Sequence, residues 1–251
     1  MTTTAPLAVL SALAEEQQGL LGQLLYSQKV HYAGRDFWSG TLHGQPVVLA
    51  LSRIGKVAAA ITATALIERF GSDRLVFTGV AGGVGHGVEV GDVVVGSGFI
   101  QYDMDASPLF PRYQIPLTGQ TVFHGDAKLT AQLLRACQSA WDEDAPSGHR
   151  AGIHHKVHYG LIATGDRFVS GAREVEHLVH ALQSVGHTPL AVEMEGAAVA
   201  QVCHDHGVAF AAVRTISDRA DDTAHVDFAQ FVNEVASAYA MKVISRLIQM
   251  L

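Results

Sequence analysis

Short apolar runs bounded by glycine or polar breaks recur along the chain and alternate with residues at helical spacing. Leu7 to Leu13 reads as a buried strand, with Glu15 and Glu16 at its exit and Leu20, Leu21, Leu24 and Leu25 continuing as a helix. Phe37 to His43 and Val47 to Ser52, separated by Gly44-Gln45-Pro46, predict a hairpin, and the alanine-rich stretch from Val57 to Phe70 predicts a helix. Arg74 to Thr78 is the next strand. It runs into a glycine loop, Gly79 to Gly87, ahead of the strand Asp92 to Gly98. Lys128 to Trp141 predicts a helix, Tyr159 to Ala163 a strand, and Phe228 to Leu251 a long amphipathic helix covering the sheet.

Two further strands end in bursts of charge. Leu190-Ala191-Val192 leads into Glu193-Met194-Glu195-Gly196, and Val208 to Val213 leads into Arg214-Thr215-Ile216-Ser217-Asp218. Between them Glu195, Ala198, Val199 and Val202 fall on one helical face, which places Glu195 toward the buried side. Strand, helix, strand predicts a crossover with the two strands as parallel neighbours. Ligands of open α/β sheets bind beyond the carboxyl ends of the strands, so both charged clusters are expected at one pocket. The order of elements gives an α/β protein, expected as one domain over residues 1–251.

Composition narrows the partners. With 48% hydrophobic residues the chain buries a large core, and a net charge of −7 with no Lys/Arg-rich run argues against a nucleic-acid polymer. The start of the chain lacks the pattern of a signal peptide, no window approaches eighteen uninterrupted apolar residues, and only Cys137 and Cys203 are present; a cytoplasmic protein with no membrane association is expected. The glycine loop does not have the G-x-G-x-x-G spacing, and Gly55-Lys56 is followed by Val57 instead of a hydroxyl residue, which excludes standard NAD and ATP sites; no cofactor is expected. His149, His154, His155 and His158 crowd a polar insert without a nearby carboxylate or cysteine, so they read as a solvated loop and not as a metal site. Tyr102 to Gly119 carries Met104, Leu109, Phe110, Tyr113 and Ile115, too apolar for a solvated loop, and is expected to pack on something such as a second subunit. Phe168, in Gly165-Asp166-Arg167-Phe168-Val169, stands at a strand's carboxyl edge, where stacking on a flat base and ordinary core packing are both open.

Together, the acid pair after the first strand, Thr78-Gly79-Val80-Ala81-Gly82-Gly83, Gly165-Asp166-Arg167-Phe168, Val192-Glu193-Met194-Glu195 and Arg214-Thr215-Ile216-Ser217-Asp218 resemble the 5′-methylthioadenosine/S-adenosylhomocysteine nucleosidases of the nucleoside phosphorylase superfamily. The resemblance covers nearly the whole chain. It implies a three-layer α/β/α domain with a central mixed, largely parallel twisted sheet flanked by helices. It also implies hydrolysis of the adenine–ribose bond with no cofactor or metal. In this family Glu16 matches the base that activates water, Glu195 the acid on the ribose hydroxyls, and Asp218 the acid that protonates N7 of adenine, with Ser217 orienting it. Phe168 matches the ring that stacks on the base, Val169 the backbone that reads it, Met194 the residue under the ribose, and Arg214 the one near the water. Glu193, Leu13, Val80, Ala81 and Gly82 belong to the implied substrate surface. Related phosphorylases grip phosphate with an arginine and a serine where this chain has Phe77 and Val80, an apolar pair that favours hydrolysis. Leu109, Phe110 and Tyr113 correspond to the region that reaches the neighbouring subunit's 5′ pocket, which implies a homodimer with a shared active-site edge. A purine nucleoside phosphorylase, a nucleosidase for futalosine-type or other adenine nucleosides, and a nucleoside-binding or storage protein are the alternatives.

Overall fold

The computed structural model describes residues 4–142, 155–221 and 223–251. Strand β1 (Leu7–Ser11) is buried along its whole length, and Glu16 accepts from the Leu13 N–H to cap helix α1 (Ala14–Gln23). The leucine spacing that predicts a longer helix stops at Gln23. From Leu25 the chain becomes the edge strand β2 (Leu25–Tyr32), paired with β3 (Arg35–Leu42), which forms the expected hairpin with β4 (Gln45–Leu51). Leu25 and Tyr26 are exposed on β2, so burial leaves no alternating signature there.

Helix α2 (Lys56–Glu68) follows, then β5 (Arg74–Gly83), β6 (Val93–Gln101) and the short β7 (Val122–His124). The region expected to be a glycine loop is for its first half strand: β5 continues through Thr78-Gly79-Val80-Ala81-Gly82-Gly83 because β10 and then β9 supply its hydrogen bonds there. Helix α3 (Ala127–Asp142), β8 (Val157–Thr164), α4 (Ala172–Gln183), β9 (Pro189–Glu193), α5 (Gly196–His206) and β10 (Ala209–Asp218) complete the alternation. The C-terminal helix is α6 (Ala224–Phe231) joined through one π-turn, Val232–Ala236, to α7 (Ser237–Gln249). β2, β7 and α4 are additions to the elements read from the sequence.

The fold is a mixed sheet between two helical layers, with α1, α3 and α7 on one face and α2 and α5 on the other. Among the described residues, five strand pairings are parallel and five antiparallel. Two features correct the expected crossover. β9 and β10 are not neighbours, because β5 lies between them, antiparallel to β9 and parallel to β10. Moreover β10 turns back onto β6, and β6, β8 and β9 return to β5, so part of the sheet closes into a ring while β1, β4, β3 and β2 extend from it as an open wing.

Of the insert histidines, His149 and His154 lie outside the described residues. The other two are not a solvated loop. His158 Nε2 lies 2.8 Å from Asp92 Oδ2, and His155 meets the Gly91 carbonyl at 2.8 Å and the Tyr239 hydroxyl, which ties the start of β8 to the β6 entrance and the C-terminal helix. Cys137 and Cys203 are buried free thiols, and burial pushes each up to about 12. Among the described residues no helix is long and apolar enough to cross a membrane.

Candidate active site

β5 is the hub of the site. Its register sets Gly82 opposite Val192 of β9 on one side and Asp218 of β10 on the other, while β1 runs beside its first half and delivers α1. Strand ends far apart in sequence therefore converge on residues 79–83. The resulting cavity, about 280 Å³, is walled by Glu16 and Leu13 from the β1 exit and by Val80, Ala81 and Gly82 from β5. Phe168 and Val169 after β8, Glu193 at the end of β9 with Met194 and Glu195 just beyond it, and Ser217 and Asp218 at the end of β10 close it. It lies at the carboxyl ends of the strands, as the sequence pattern predicts.

Glu16 is 2% exposed. Its Oε2 accepts from the Ala12 and Leu13 N–H groups at 2.8 and 2.9 Å, and its Oε1 from the Val80 N–H at 3.1 Å. Burial raises its pKa despite these donors and the opposing charge of Arg214. A Cβ on Gly79 would stand 3.0 Å from Oε1, so the absence of a side chain there is what lets the carboxylate lie against the strand.

Glu195 is not on the α5 face but caps the helix just before its first residue, with φ −138°. That backbone turn swings the carboxylate across the cavity, where Oε1 accepts from the Gly55 N–H at 2.8 Å and so ties β9 to the turn between β4 and α2. Burial first, and the charge of Glu193 second, push its pKa up to about 8. Asp218, on the far side, accepts from the Ser217 hydroxyl and the Ala220 N–H, both at 2.8 Å, and burial raises its pKa. A Cβ on Gly82 would come within 2.9 Å of Ala220 Cβ and 3.0 Å of Asp218 Oδ1.

Glu193 and Arg214 form the buried foundation. Arg214 Nη2 and Nε donate to Glu193 Oε2 at 2.8 and 3.3 Å, Nη1 donates to the Phe77 carbonyl at 3.1 Å, and the guanidinium lies 4.1 Å from the Phe77 ring centroid. Glu193 also accepts from the Gly196 N–H at 2.8 Å and from the Thr164 hydroxyl, so its carboxylate sits on the N-terminus of α5. Arg214 does not line the cavity: it lies behind the wall, and its charge opposes the upward shifts at Glu16 and Glu195. Phe77 does not line it either. Its ring belongs to the core and not, as the sequence suggests, to the place where related phosphorylases grip phosphate. Val80 alone of that pair faces the cavity.

Phe168 is half-exposed at the rim, its ring centroid 5.5 Å from that of Phe228 in a T-shaped arrangement. Phe228, Ile54 and Ala12 also line the cavity and carry no chemical signature in the sequence; for Ile54 the signal is its place just past a strand's end. Arg167 lines the rim too, with its guanidinium exposed and paired with Glu174 at 3.1 Å. Leu109, Phe110 and Tyr113 lie away from the cavity lining. Tyr113 is buried with Ile100, Ala163 and Leu182 in its own chain, whereas Leu109 is 84% exposed.

The phosphorylase superfamily model matches residues 6–249. A 5′-methylthioadenosine/S-adenosylhomocysteine nucleosidase of Bacillus anthracis is 35% identical over 245 residues, covering 96% of this chain and 99% of the relative. The Neisseria meningitidis nucleosidase of the same name, solved with methylthio-immucillin-A, has a TM-score of 0.88 at 32% identity over 99% of this chain and all of that one. The futalosine hydrolase of Helicobacter pylori has a TM-score of 0.85 at 29% identity, covering 98% of each chain.

Proposed function

The chain belongs to the phosphorylase superfamily and within it to the 5′-methylthioadenosine/S-adenosylhomocysteine nucleosidases, and we propose that it hydrolyses the adenine–ribose bond of those two nucleosides. The observation that carries the proposal is the convergence of Glu16, Glu195 and Asp218, from three separate elements, on one cavity with an aromatic ring at its rim.

Breaking an N-glycosidic bond sends an electron pair to the purine and leaves an oxocarbenium-like sugar. Asp218, whose pKa burial raises, donates a proton to N7 of the base, so adenine leaves neutral; Ser217 fixes the carboxyl's orientation. General-acid assistance of about 10²–10⁴-fold lowers the barrier by roughly 3–5 kcal/mol. Glu195 accepts the ribose hydroxyls beside the developing positive charge, with Met194 beneath the sugar. Glu16 takes a proton from the water that adds to the anomeric carbon. Phe168 stacks on the base and the Val169 backbone reads its edge. Glu193 and Arg214 act as positioning residues that hold the Glu195 turn.

Hydrolysis is favoured over phosphorolysis because a phosphate dianion entering the cavity meets the acidic side chains of Glu16 and Glu195 and the apolar side chain of Val80. The buried cation there, Arg214, is already committed to Glu193 and a backbone carbonyl. We place the enzyme in the cytoplasm as a homodimer. Ile54 lines the cavity, Val57 and Ile61 are exposed on the helix that follows it, and Leu109 is exposed as well; these apolar side chains support a shared edge. The test is adenine release from methylthioadenosine, S-adenosylhomocysteine, adenosine, inosine and a futalosine-type nucleoside, with and without phosphate. Strict phosphate dependence overturns hydrolysis; preference for the futalosine-type nucleoside overturns the 5′-thio assignment.

A further inference from the structure

Helix α1 carries the catalytic cavity on one side and borders a second groove, of about 650 Å³, on another. The groove lies between Glu15, Gln17 and Leu21 of the helix, the start of β3 at Arg35, and Trp38 and Arg53. Its polar inventory does not balance. Arg35 is 8% exposed; Nη1 and Nη2 donate to the Ala33 and Ala58 carbonyls at 2.9 and 3.2 Å, and the buried Nε–H has no partner among the described residues. Gln17 is 1% exposed, and its Nε2 is likewise without a partner. Arg53 donates to the Gly34 carbonyl, and among the described residues neither arginine has a carboxylate within ion-pair distance.

The acids of the groove do not compensate. Asp36 is held by Lys29 Nζ at 2.7 Å and His31 Nδ1 at 2.8 Å, and Glu15 is exposed to solvent. Burial and the neighbouring charge of Arg53 both act against the charged form of Arg35. Arg53 is also held at φ +64°, a conformation that non-glycine residues rarely adopt. Two guanidinium groups with no carboxylate paired to them among the described residues, and a buried amide donor, make a built cradle for an acceptor-only ligand.

We propose that this groove binds a small oxyanion, phosphate or carboxylate, between Arg35 and Arg53 with Gln17 as a third donor. Arg53 immediately precedes Ile54, which lines the catalytic cavity, and Gly55, whose N–H holds Glu195. An anion on Arg53 therefore braces the turn that positions the sugar-facing carboxylate. The anion site stands apart from the nucleosidase reading, whereas the effect on the sugar-facing carboxylate and the nucleoside-analogue control rest on it.

The experiment measures thermal unfolding against inorganic phosphate and, separately, citrate, at constant ionic strength set with sodium chloride. The wild-type protein is expected to gain a saturable ~2 °C or more with at least one of them; phosphate alone or citrate alone assigns the oxyanion class. Arg53→Gly removes the guanidinium and relieves the positive φ, so without anion it should unfold at the same or a higher temperature and lose the response. Arg35→Gln should lose it too. Methylthio-immucillin-A should still stabilise Arg53→Gly, which shows that the catalytic cavity is intact. An unresponsive wild type overturns the inference. So does a response that survives in Arg53→Gly and disappears once the nucleoside analogue saturates the protein, because phosphate would then occupy the catalytic cavity.

Discussion

Replacing Glu195 with glutamine should stabilise the ligand-free protein at neutral pH while removing its activity. The carboxyl is 5% exposed, and its pKa stands at about 8 against an ordinary value of 4.5. Its folded-state pKa is raised, so between those values the folded protein binds more protons than the unfolded chain and stability falls as pH rises. At about 1.4 kcal/mol per pH unit, the full gap corresponds to roughly 5 kcal/mol above pH 8 and roughly 3 kcal/mol at pH 7. Glutamine keeps the oxygen that accepts from Gly55 N–H and carries no charge to desolvate. Its amide must find a buried partner, which costs about 1–2 kcal/mol. A net gain of about 1–2 kcal/mol at pH 7 remains. At pH 5 the wild-type carboxyl is largely protonated when folded, so the gain should shrink toward zero or reverse. Urea unfolding of both proteins at pH 5, 7 and 8 measures this directly. A variant equally stable relative to wild type at every pH, or less stable at pH 8 than at pH 5, refutes the claim that this carboxylate is held at the expense of stability.

Asp218→Asn should lower turnover at least about a hundredfold while retaining much of the affinity for a substrate analogue, since the missing proton matters in the transition state; stopped-time adenine assays and calorimetry separate the two. The rate in wild type should fall on the acid side as Glu16 takes up a proton and on the alkaline side as Asp218 loses one, both limits lying above ordinary carboxylate values because burial raises both groups. A flat profile between pH 5 and 8 would count against that assignment. Arg214→Met leaves Glu193 as an uncompensated buried charge and should cost about 3–5 kcal/mol in denaturant unfolding, whereas an unchanged midpoint would remove the pair from the foundation of the site. Gly82→Ala places a methyl 2.9 Å from Ala220 Cβ and 3.0 Å from Asp218 Oδ1, and should reduce kcat more than it reduces stability; wild-type kcat would show that the close approach is unimportant.

The local pattern of the chain determined most elements and the chemistry available to them. Buried runs such as Leu7–Ser11, the β3–β4 hairpin, α2, and the charged ends of β9 and β10 follow from side-chain periodicity and burial, which act over a few residues. The resemblance in five short segments named residues that the fold then gathers around one cavity. Partners in space were decided elsewhere. No local signal says that β5 separates β9 from β10, that the glycines of residues 79–83 are strand, or that β10 turns back onto β6; those follow from which edges find hydrogen-bond partners once the core has formed. Likewise Glu195 reads as a face of α5 by spacing. In the fold Glu193 takes the N-terminus of α5 and Glu195 stands at the cap position with its carboxyl on the Gly55 N–H, where burial and the charge of Glu193 raise its pKa to about 8. Periodicity is a property of neighbours along the chain, whereas register, burial and charge at the site are properties of neighbours in space.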